Sequence, residues 1–544
     1  MPESARAPVR APDVALPGAY DPARAPAAGL LAFWTLAVLT VAAAGMAAMA
    51  FTLPVDHDES QYVAAALAAA RGLRPYADFV YLQTPLQPAL TAPLARLAGA
   101  DTLLAIRLAN ALAGALLLTL VFRLQVRLGV ERARAATVTA LLGACYIFEF
   151  SCGVARNDAL PALAAGLGLW AALAALDLGA AREGRAAALW GLAGVGFGAA
   201  VSFKVFYLLP LAAAGLFLVA AAWRRQVGVG GLAAFCLGAV GGLAPCLAAL
   251  AAAPGPYVYD TLLYHQTAPA AWYAATGQAQ RLSALAKLPD SLLALAVGPA
   301  LEVLAGVGLI SVARWRAGVR ASPQRRLVEV LALAGLLAAL VPTPTQRQYF
   351  LPLLPALFVL WGIGEEGLPR ALPWRRAVTA AVLAGALIGA GRVIYLIGDA
   401  VVRLARGDLP PVLALQDEGR WVGARLRAAG VAGDIATAAP QLAAASGYDL
   451  DARLAAGPFF YRTGDQLGDA RQAGLHAVSP RTLAAAFDAA PPAALVVGLE
   501  PRKGLNGRSA DDDFRAYAQA RGWRREVSPD GVVELYIRPG AGRS

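Results

Sequence analysis

The chain has 544 residues, of which 58% are hydrophobic and only 15% are charged. Soluble globular proteins carry about 25% charged residues, so this composition excludes an ordinary soluble enzyme and predicts a polytopic membrane protein. The formal net charge of +11 does not indicate nucleic-acid binding, because the arginines gather in short segments between apolar runs, as membrane topology requires.

The apolar runs predict a mainly α-helical transmembrane bundle that follows an irregular tail. Residues 1–28 are rich in Ala, Pro and Arg and lack a helical pattern, so we expect a disordered cytoplasmic tail. A further helix over 84–99 is interrupted by prolines. Since a span needs about 20 mostly apolar residues, we expect about 11–13 spans. The candidate runs are 29–51, 102–122, 135–150, 158–178, 187–203, 204–222, 229–253, 291–313, 327–342, 348–365 and 374–398.

The loop charges predict how the bundle is oriented. Lys and Arg are more frequent in the loops on the side of the N-terminus, which places that terminus in the cytoplasm. The loops at 56–82, 151–157 and 254–290 then face the extracytoplasmic side, together with the C-terminal region. We expect an integral protein of the bacterial inner (plasma) membrane.

Near residue 404 the long apolar runs stop and the charge density rises. The segments 434–439, 494–499 and 532–537 predict strands, and 421–429, 481–489 and 512–521 predict helices between them. Strands that alternate with helices favour a small α/β domain. The predicted domains are the tail 1–28, a transmembrane catalytic module 29–403, and an extracytoplasmic α/β domain 404–544.

An acidic cluster, Asp56-His57-Asp58-Glu59, directly follows the first apolar run. A charge at bilayer depth costs roughly 2.5–3.5 kcal/mol, so acids at the edge of a span usually serve a function. Asp58 has two compatible interpretations: it caps a helix that runs to Arg71, or it is a general base that accepts a proton from an acceptor hydroxyl.

A second acid, Asp158, opens the fourth apolar span and also has a capping interpretation. The predicted topology places it on the same membrane face as Asp58. Together with Arg156, the two carboxylates then form a candidate reaction site. In that site one acid would be the base, and Glu59 or Asp158 would orient the acceptor or hold a divalent cation. No spacing typical of a metal site appears in the sequence.

Cations and aromatic residues near the same face are candidate substrate ligands. Lys204 lies between two apolar runs, where it would either snorkel to the headgroups or neutralise a phosphate. Arg347 and Tyr349 open the tenth span and suit a lipid phosphate, although Tyr at an interface is also an ordinary anchor. The loop 254–290 adds His265 among aromatic residues that suit sugar or isoprenoid contacts, or that form an interfacial belt.

With these positions in place, the chain resembles the GT-C superfamily of membrane glycosyltransferases, over roughly residues 30–365. It is most similar to the protein O-mannosyltransferase and lipid A aminoarabinose transferase group. This chain differs from aminoarabinose transferases at Gln61, where they have arginine, and at Thr84-Pro85-Leu86, where they have Lys-Pro-Pro. The segments that carry it are Asp58-Glu59-x-x-Tyr62, 72–79, 84–86, 107–112, Arg156-Asn157-Asp158, Phe203-Lys204 and 349–355.

The resemblance implies a transmembrane glycosyltransferase that uses a sugar on a polyprenyl phosphate and an extracytoplasmic hydroxyl of a lipid, glycan or protein. It implies that Asp58 is the catalytic acid, that Asp158 is the second acid, and that Lys204 meets the donor phosphate. Tyr62, Tyr81 and Tyr349 fall near substrate-pocket positions of the family. No cofactor beyond a possible divalent cation is implied, and no nucleic acid is expected as a partner.

The alternative function is a lipid or solute transporter or flippase, which needs ionisable residues along a path through the bilayer. Most such residues of this chain gather at the membrane faces instead. The exceptions are Arg107, Glu149, Glu302 and Arg392, and Arg107 is predicted to pair with Asp101 or Glu59. A sensor whose outer domain does the work is a further alternative, which the number of spans disfavours.

Overall fold

A computed structural model describes residues 28–179, 182–364 and 374–542. The predicted tail lies outside these residues, apart from residue 28 where the first helix begins. Among the described residues helices dominate, as predicted, and the strands are confined to the C-terminal region. The helices of the first region are α1 (Ala28–Thr52), α2 (Glu59–Ala70), α3 (Leu86–Ala98), α4 (Thr102–Arg127), α5 (Arg132–Gly143), α6 (Tyr146–Gly153), α7 (Ala159–Leu178), α8 (Glu183–Phe203), α9 (Leu208–Trp223), α10 (Val229–Ala252), α11 (Pro254–Val258), α12 (Tyr264–Ala275), α13 (Ala284–Ala296), α14 (Ala300–Arg316), α15 (Pro323–Leu340), α16 (Leu354–Ile363) and α17 (Trp374–Ala405).

Within the described residues, 7 helices are long and apolar enough to cross a membrane, or up to 9 if each bent helix pair is one span. This count is lower than the 11–13 expected from the apolar runs. Two predicted spans are broken: α5 and α6 meet at 70°, and α13 and α14 meet at 101°. Another, α16, has only 10 residues. Apolar composition alone does not distinguish a straight span from a bent pair, because both bury the same residues.

Two helices determine where the candidate site residues lie. Helix α4 packs against α1, α5, α6 and α7, and polar residues in its N-terminal half bond the loops that follow α1 and α6. Helix α8 lies closely against α7 and α10 because glycines face each other there: a Cβ at Gly194 or Gly238 would collide with backbone of the opposite helix. Small residues allow such close approach between membrane helices. This packing fixes the C-terminal end of α8, which carries Lys204.

The C-terminal region has the predicted α/β character. Its sheet consists of β1 (Ile435–Thr437), β2 (Ala494–Val497), β3 (Arg524–Val527) and β4 (Glu534–Ile537). The strand order is β1-β2-β4-β3, in which β1 and β2 are parallel and the other pairs are antiparallel. The predicted strands are confirmed, whereas the edge strand β3 was not predicted because its side chains are mostly charged and largely exposed. The helices of this region are α18 (Pro411–Ala428), α19 (Pro440–Ser446), α20 (Pro458–Thr463), α21 (Asp469–Ala473), α22 (Leu483–Ala489) and α23 (Ala510–Ala520).

Candidate active site

The loop after α1 and the loop after α6 meet around a single guanidinium. Arg156 Nη1 donates to Asp56 Oδ1 at 2.9 Å and also to Asp58 Oδ2. Its Nε donates to Asp158 Oδ2 at 3.1 Å. Residues about 100 positions apart in the chain therefore form one cluster, as the sequence predicted for Asp58, Asp158 and Arg156.

Neither carboxylate acts as a helix cap. Asp58 precedes α2 and Asp158 precedes α7, but neither side chain accepts a hydrogen bond from the helix backbone. Their oxygens face cations instead: Asp158 Oδ1 accepts from Lys204 Nζ, and Asp58 accepts from Arg156. Each acid therefore stands at the N-cap position of a helix, but its side chain bonds cations and does not cap the helix.

The surroundings of Asp56 and Asp58 shift the pKa values of these two acids in opposite directions. Burial acts to raise the pKa of Asp58, but the charge of Arg156 and the hydrogen bond with His57 outweigh it and hold this pKa well below its ordinary value. Burial raises the pKa of Asp56 despite the nearby Arg156, and the negative charge of Asp58 adds to that effect. Asp58 is consequently the more firmly ionised of the two, although both side chains are about a quarter exposed.

Glu59 lies beside this cluster but is closed off from it. Its Oε1 accepts from Arg107 Nε at 2.7 Å and from Ala155 N at 2.6 Å. Its Oε2 accepts from Arg107 Nη2 at 2.6 Å and from Asp56 N at 2.7 Å. The predicted pairing of Arg107 with Glu59 is confirmed. The prediction that Glu59 contacts an acceptor or a cation does not fit this geometry, because both of its oxygens are engaged and buried.

An amide network joins the second loop to the rest of the site. Asn110 Nδ2 donates to the carbonyls of Val154 and Arg156, both at 2.7 Å. Tyr62 donates its hydroxyl to Asn157 Oδ1 at 2.8 Å. Asn157 Nδ2 in turn donates to Gln83 Oε1 at 3.1 Å and to Phe203 O at 3.0 Å. Sequence reasoning did not assign Asn110 to the site. The available signals were the polar Arg-x-x-Asn spacing on an apolar helix and the place of Asn110 in the segment 107–112 that carries the family resemblance.

Tyr81 and His265 lie on the segment that borders this network. Tyr81 N donates to Asp260 Oδ2 at 3.0 Å, and the tyrosine hydroxyl is buried without a partner among the described residues. His265 Nε2 is 2.6 Å from Leu82 O. His265 therefore holds the backbone next to Tyr81 and reaches the acidic cluster only through that segment.

The predicted cations converge on the same region. Lys204 is 5% exposed and bonds Asp158, so it does not snorkel. Its ammonium lies 5.7 Å from the ring centre of Tyr349. The guanidinium of Arg347 lies 5.1 Å from the ring centre of Phe150, and that of Arg156 lies 5.7 Å from the same ring. One aromatic ring thus connects Arg347 to the acidic cluster.

Residues of the C-terminal region also reach the site. Arg502 Nη1 is 2.9 Å from both ring nitrogens of His57, and Arg462 Nη1 is 3.2 Å from Nε2. The Phe459 ring lies against His57 with 4.7 Å between centroids and an angle of 49° between the ring planes. Glu500 accepts from Arg462 and from the backbone N–H of Arg502. Sequence reasoning missed these residues, because nothing local in the chain distinguishes them from other surface arginines.

Asp56, His57 and Asp58 offer three ligand atoms within 4.8 Å of one another, and two carboxylates with an imidazole are suitable ligand types for a divalent cation. Their surroundings are not suitable. Both nitrogens of His57 already lie beside Arg502, and Asp56 and Asp58 already share Arg156. The arrangement as it stands therefore does not fit a cation, because three arginines would oppose it.

No protein-family model and no curated protein matches the sequence. Solved structures do match. ArnT from Cupriavidus metallidurans bound to undecaprenyl phosphate is 16% identical with a TM-score of 0.61, over 95% of this chain and 100% of that chain. Its apo state is 15% identical with a TM-score of 0.59, over 95% and 99%. An Archaeoglobus fulgidus oligosaccharyltransferase in the apo form is 13% identical with a TM-score of 0.48, over 86% and 70%.

The two ArnT structures show that the chain has the ArnT fold throughout almost its whole length. This confirms the predicted architecture of a membrane helical bundle followed by a small α/β region. At this level of identity the likeness shows the fold alone, and the chemistry depends on the side chains of this chain.

Proposed function

We propose that this chain is an integral-membrane glycosyltransferase. It moves a sugar from a polyprenyl-phosphate donor to an acceptor hydroxyl on the extracytoplasmic side of the bacterial inner membrane, with inversion at the anomeric carbon. The observation that carries the proposal is the convergence of Asp58, Asp158, Arg156 and Lys204 at the ends of apolar helices. The polyprenyl phosphate bound to ArnT, which shares the fold, supports the donor class.

In this proposal Asp58 is the general base. The acceptor oxygen forms a bond to the anomeric carbon, the bond from that carbon to the phosphate oxygen breaks, and the hydroxyl proton passes to Asp58. The electron pair of the broken bond leaves on the phosphate, which is already a stable anion and needs no proton donor. Asp58 is unprotonated at neutral pH, as any aspartate is and as a base must be before it can act. Its contact with Arg156 lowers its pKa further and makes it a weaker proton acceptor than an isolated aspartate.

Lys204 and Arg156 provide positive charge for the leaving phosphate, and Asp158 holds both cations in place. Asp158 accepts from Arg156 at 3.1 Å and from Lys204. Preorganised charges in a partly dry site stabilise developing charge without reorganisation at the moment of reaction. The proposed substrate contacts are Tyr349, whose ring centre lies 5.7 Å from Lys204 Nζ, and Tyr62, which donates to Asn157. No step is assigned to a metal ion.

The transporter alternative finds less support among the described residues. Of the ionisable residues that the sequence placed inside spans, Arg107 pairs with Glu59 and Arg392 pairs with Glu149 at 2.9 Å. Glu302 remains, and its Oε2 is buried without a hydrogen bond. The two pairs and the single Glu302 are separate, and among the described residues they do not make a continuous polar path from one face to the other.

The test is transfer by the purified full chain in lipid nanodiscs, with a panel of polyprenyl-phosphate sugars and acceptors from cell-envelope extracts. We expect a single sugar to be transferred, with release of polyprenyl phosphate. Asp58→Asn should reduce kcat by about 100- to 10,000-fold, while Asp399→Asn, an exposed acid on α17, should leave it unchanged. Undiminished transfer by Asp58→Asn would exclude the proposed base, and lipid flipping without any transfer would favour the alternative.

A further inference from the structure

The acidic cluster does not by itself favour a phosphate. Three carboxylates, those of Asp56, Asp58 and Asp158, surround two cations, Arg156 and Lys204. Each cation already has a carboxylate partner. An incoming lipid phosphate is also an anion, and the three carboxylates would repel it. Arg502, beside His57, adds a third cation, which balances the third carboxylate. The cluster therefore has no surplus positive charge for the donor phosphate, and such charge has to lie next to it.

That charge lies next to the cluster, around Tyr146. The guanidinium carbon of Arg392 is 3.5 Å from the ring centre of Tyr146, and that of Arg347 is 4.8 Å from it. Arg347 also donates to the tyrosine hydroxyl. The arrangement, which we call the Arg347–Tyr146–Arg392 stack, brings two guanidiniums from distant parts of the chain to one ring.

The stack carries an excess of positive charge. Arg392 pairs with Glu149, whose side chain is completely buried, at 2.9 Å. Arg347 is exposed, and within the described ranges no carboxylate forms an ion pair with it. Two guanidiniums are thus opposed by one carboxylate. Arginine is well suited to phosphate because its planar fork donates two parallel hydrogen bonds.

The backbone at this place is also unusual for a membrane protein. The bend between α5 and α6 ends at Tyr146, and Tyr146 N donates to Val297 O at 3.0 Å, in the break between α13 and α14. Two broken spans therefore meet at the stack. Non-helical backbone at membrane depth is tolerated where it is covered by protein or lines a polar cavity, and broken helices often surround binding sites.

The stack is connected to the acidic cluster through Phe150. Arg347 lies 5.1 Å from the centre of this ring and Arg156 lies 5.7 Å from it. Arg347 and Arg156 therefore lie against the same aromatic ring, and Asp158 in turn bonds both Arg156 and Lys204. Arg392 lies on α17, which is largely exposed along its length in the absence of lipid, so the stack is at the edge of the bundle that faces the bilayer.

From this geometry we infer a second phosphate-binding site, formed by Arg347, Tyr146 and Arg392. It binds the phosphate of the polyprenyl carrier at the lipid-facing edge, before transfer or after release. The inference rests on the proposed function, since it assigns the path of the same carrier. It also accounts for Arg392, an arginine within a membrane helix that the catalytic steps do not use.

The test measures binding rather than activity. Undecaprenyl phosphate is titrated into the full chain in nanodiscs of neutral lipid and followed by native mass spectrometry. We expect Arg392→Met and Arg347→Met each to weaken binding about tenfold, which corresponds to the loss of one charge-assisted hydrogen bond. Arg403→Met, on the same helix and paired with the exposed Asp399, is the matched control and should bind normally.

Glu149→Gln distinguishes a binding site from a structural clamp. If the stack binds phosphate, removal of the neighbouring negative charge should preserve or increase the affinity for undecaprenyl phosphate. If Arg392 only holds α17 against α6, Glu149→Gln should weaken binding in parallel with a lower melting temperature. That outcome, or unchanged binding in both arginine variants, would overturn the inference.

Competition identifies the source of the phosphate. Phosphatidylglycerol in excess should displace undecaprenyl phosphate only weakly, and inorganic phosphate should displace it at millimolar concentration or above. Equal displacement by phosphatidylglycerol would show a general headgroup site and overturn the inference. If the variants weaken binding as expected but no donor supports transfer, the proposed function fails and the binding site remains. If transfer depends on Asp58 while binding is unchanged in the variants, only the inference fails.

Discussion

Arg107 and Glu59 form a completely buried, bidentate ion pair that joins the two loops of the candidate active site. Arg107 also donates to the carbonyls of Ala50, Leu53 and Pro54. All of its donors are therefore used on the turn that leads into Asp56 and Asp58. A buried ion pair is stable only when its remaining hydrogen-bonding groups are satisfied, and this one meets that condition.

We expect Arg107→Met to destabilise the protein by about 3–5 kcal/mol, because it leaves Glu59 buried without its partner. Arg107→Lys keeps the charge but cannot form the same set of bonds. It should retain most of the stability in detergent while kcat falls by at least tenfold, since the turn that carries Asp58 is no longer fixed. Melting temperature and kcat are measured in parallel.

Arg127→Met is the matched control for this prediction. Arg127 lies at the other end of the same helix and pairs with Asp177 at 2.8 Å. Its loss should lower the melting temperature without a selective loss of kcat. Equal kcat in Arg107→Lys and the wild type would contradict a positioning role for Arg107.

Lys204 gives a prediction about pH. Burial lowers the pKa of Lys204 below its ordinary value of 10.5, although the charge of Asp158 partly opposes this effect. A protonated lysine is required to neutralise phosphate, so activity should fall as the pH rises through this lowered pKa. In Lys204→Arg, which remains charged, the alkaline limb of the pH–rate profile should move upward even if the maximal rate is lower. If the alkaline limb does not move in Lys204→Arg, the loss of activity at high pH arises from the titration of another group.

The contacts of His57 predict that the C-terminal region takes part in catalysis. Arg502 is exposed and bonds only His57 through its side chain among the described residues. We therefore expect Arg502→Gln to leave the free energy of unfolding within about 0.5 kcal/mol of the wild-type value, as for other surface substitutions, while kcat falls severalfold. Arg521→Gln, which breaks an exposed pair with Asp488, should change neither quantity.

Arg462 should behave differently, because it is buried with Glu500. Arg462→Met leaves that carboxylate without a partner and should lower stability and activity together. If Arg502→Gln retains full kcat, the contact with His57 serves only to dock the C-terminal region.

The arrangement around Asp56, His57 and Asp58 predicts activity without a divalent cation. Arg156 and Arg502 already contact the groups that would bind one. Treatment with EDTA should leave the transfer rate unchanged, as measured with the purified protein in nanodiscs. Loss of activity that Mn²⁺ or Mg²⁺ restores would show that Arg502 leaves His57 when the site is loaded.

The sequence by itself determined the class of the protein and its most visible polar residues. Long apolar runs can only be stable as membrane helices, and charges next to such runs are costly enough to be informative. This reasoning identified Asp58, Asp158, Arg156 and Lys204, and the structure brings them together. It also indicated the α/β character of the C-terminal region, since alternation of strands and helices is a local pattern.

Only the tertiary structure decided the roles that depend on partners distant in the chain. Glu59 and Asp58 are adjacent and chemically alike, yet one is enclosed by Arg107 and the other faces Arg156. The contribution of Arg502 to His57 crosses 445 positions. The bends of the spans that meet at Tyr146 likewise follow from packing. A sequence records which side chains are available, whereas burial and charge pairing arise only when separate segments come into contact.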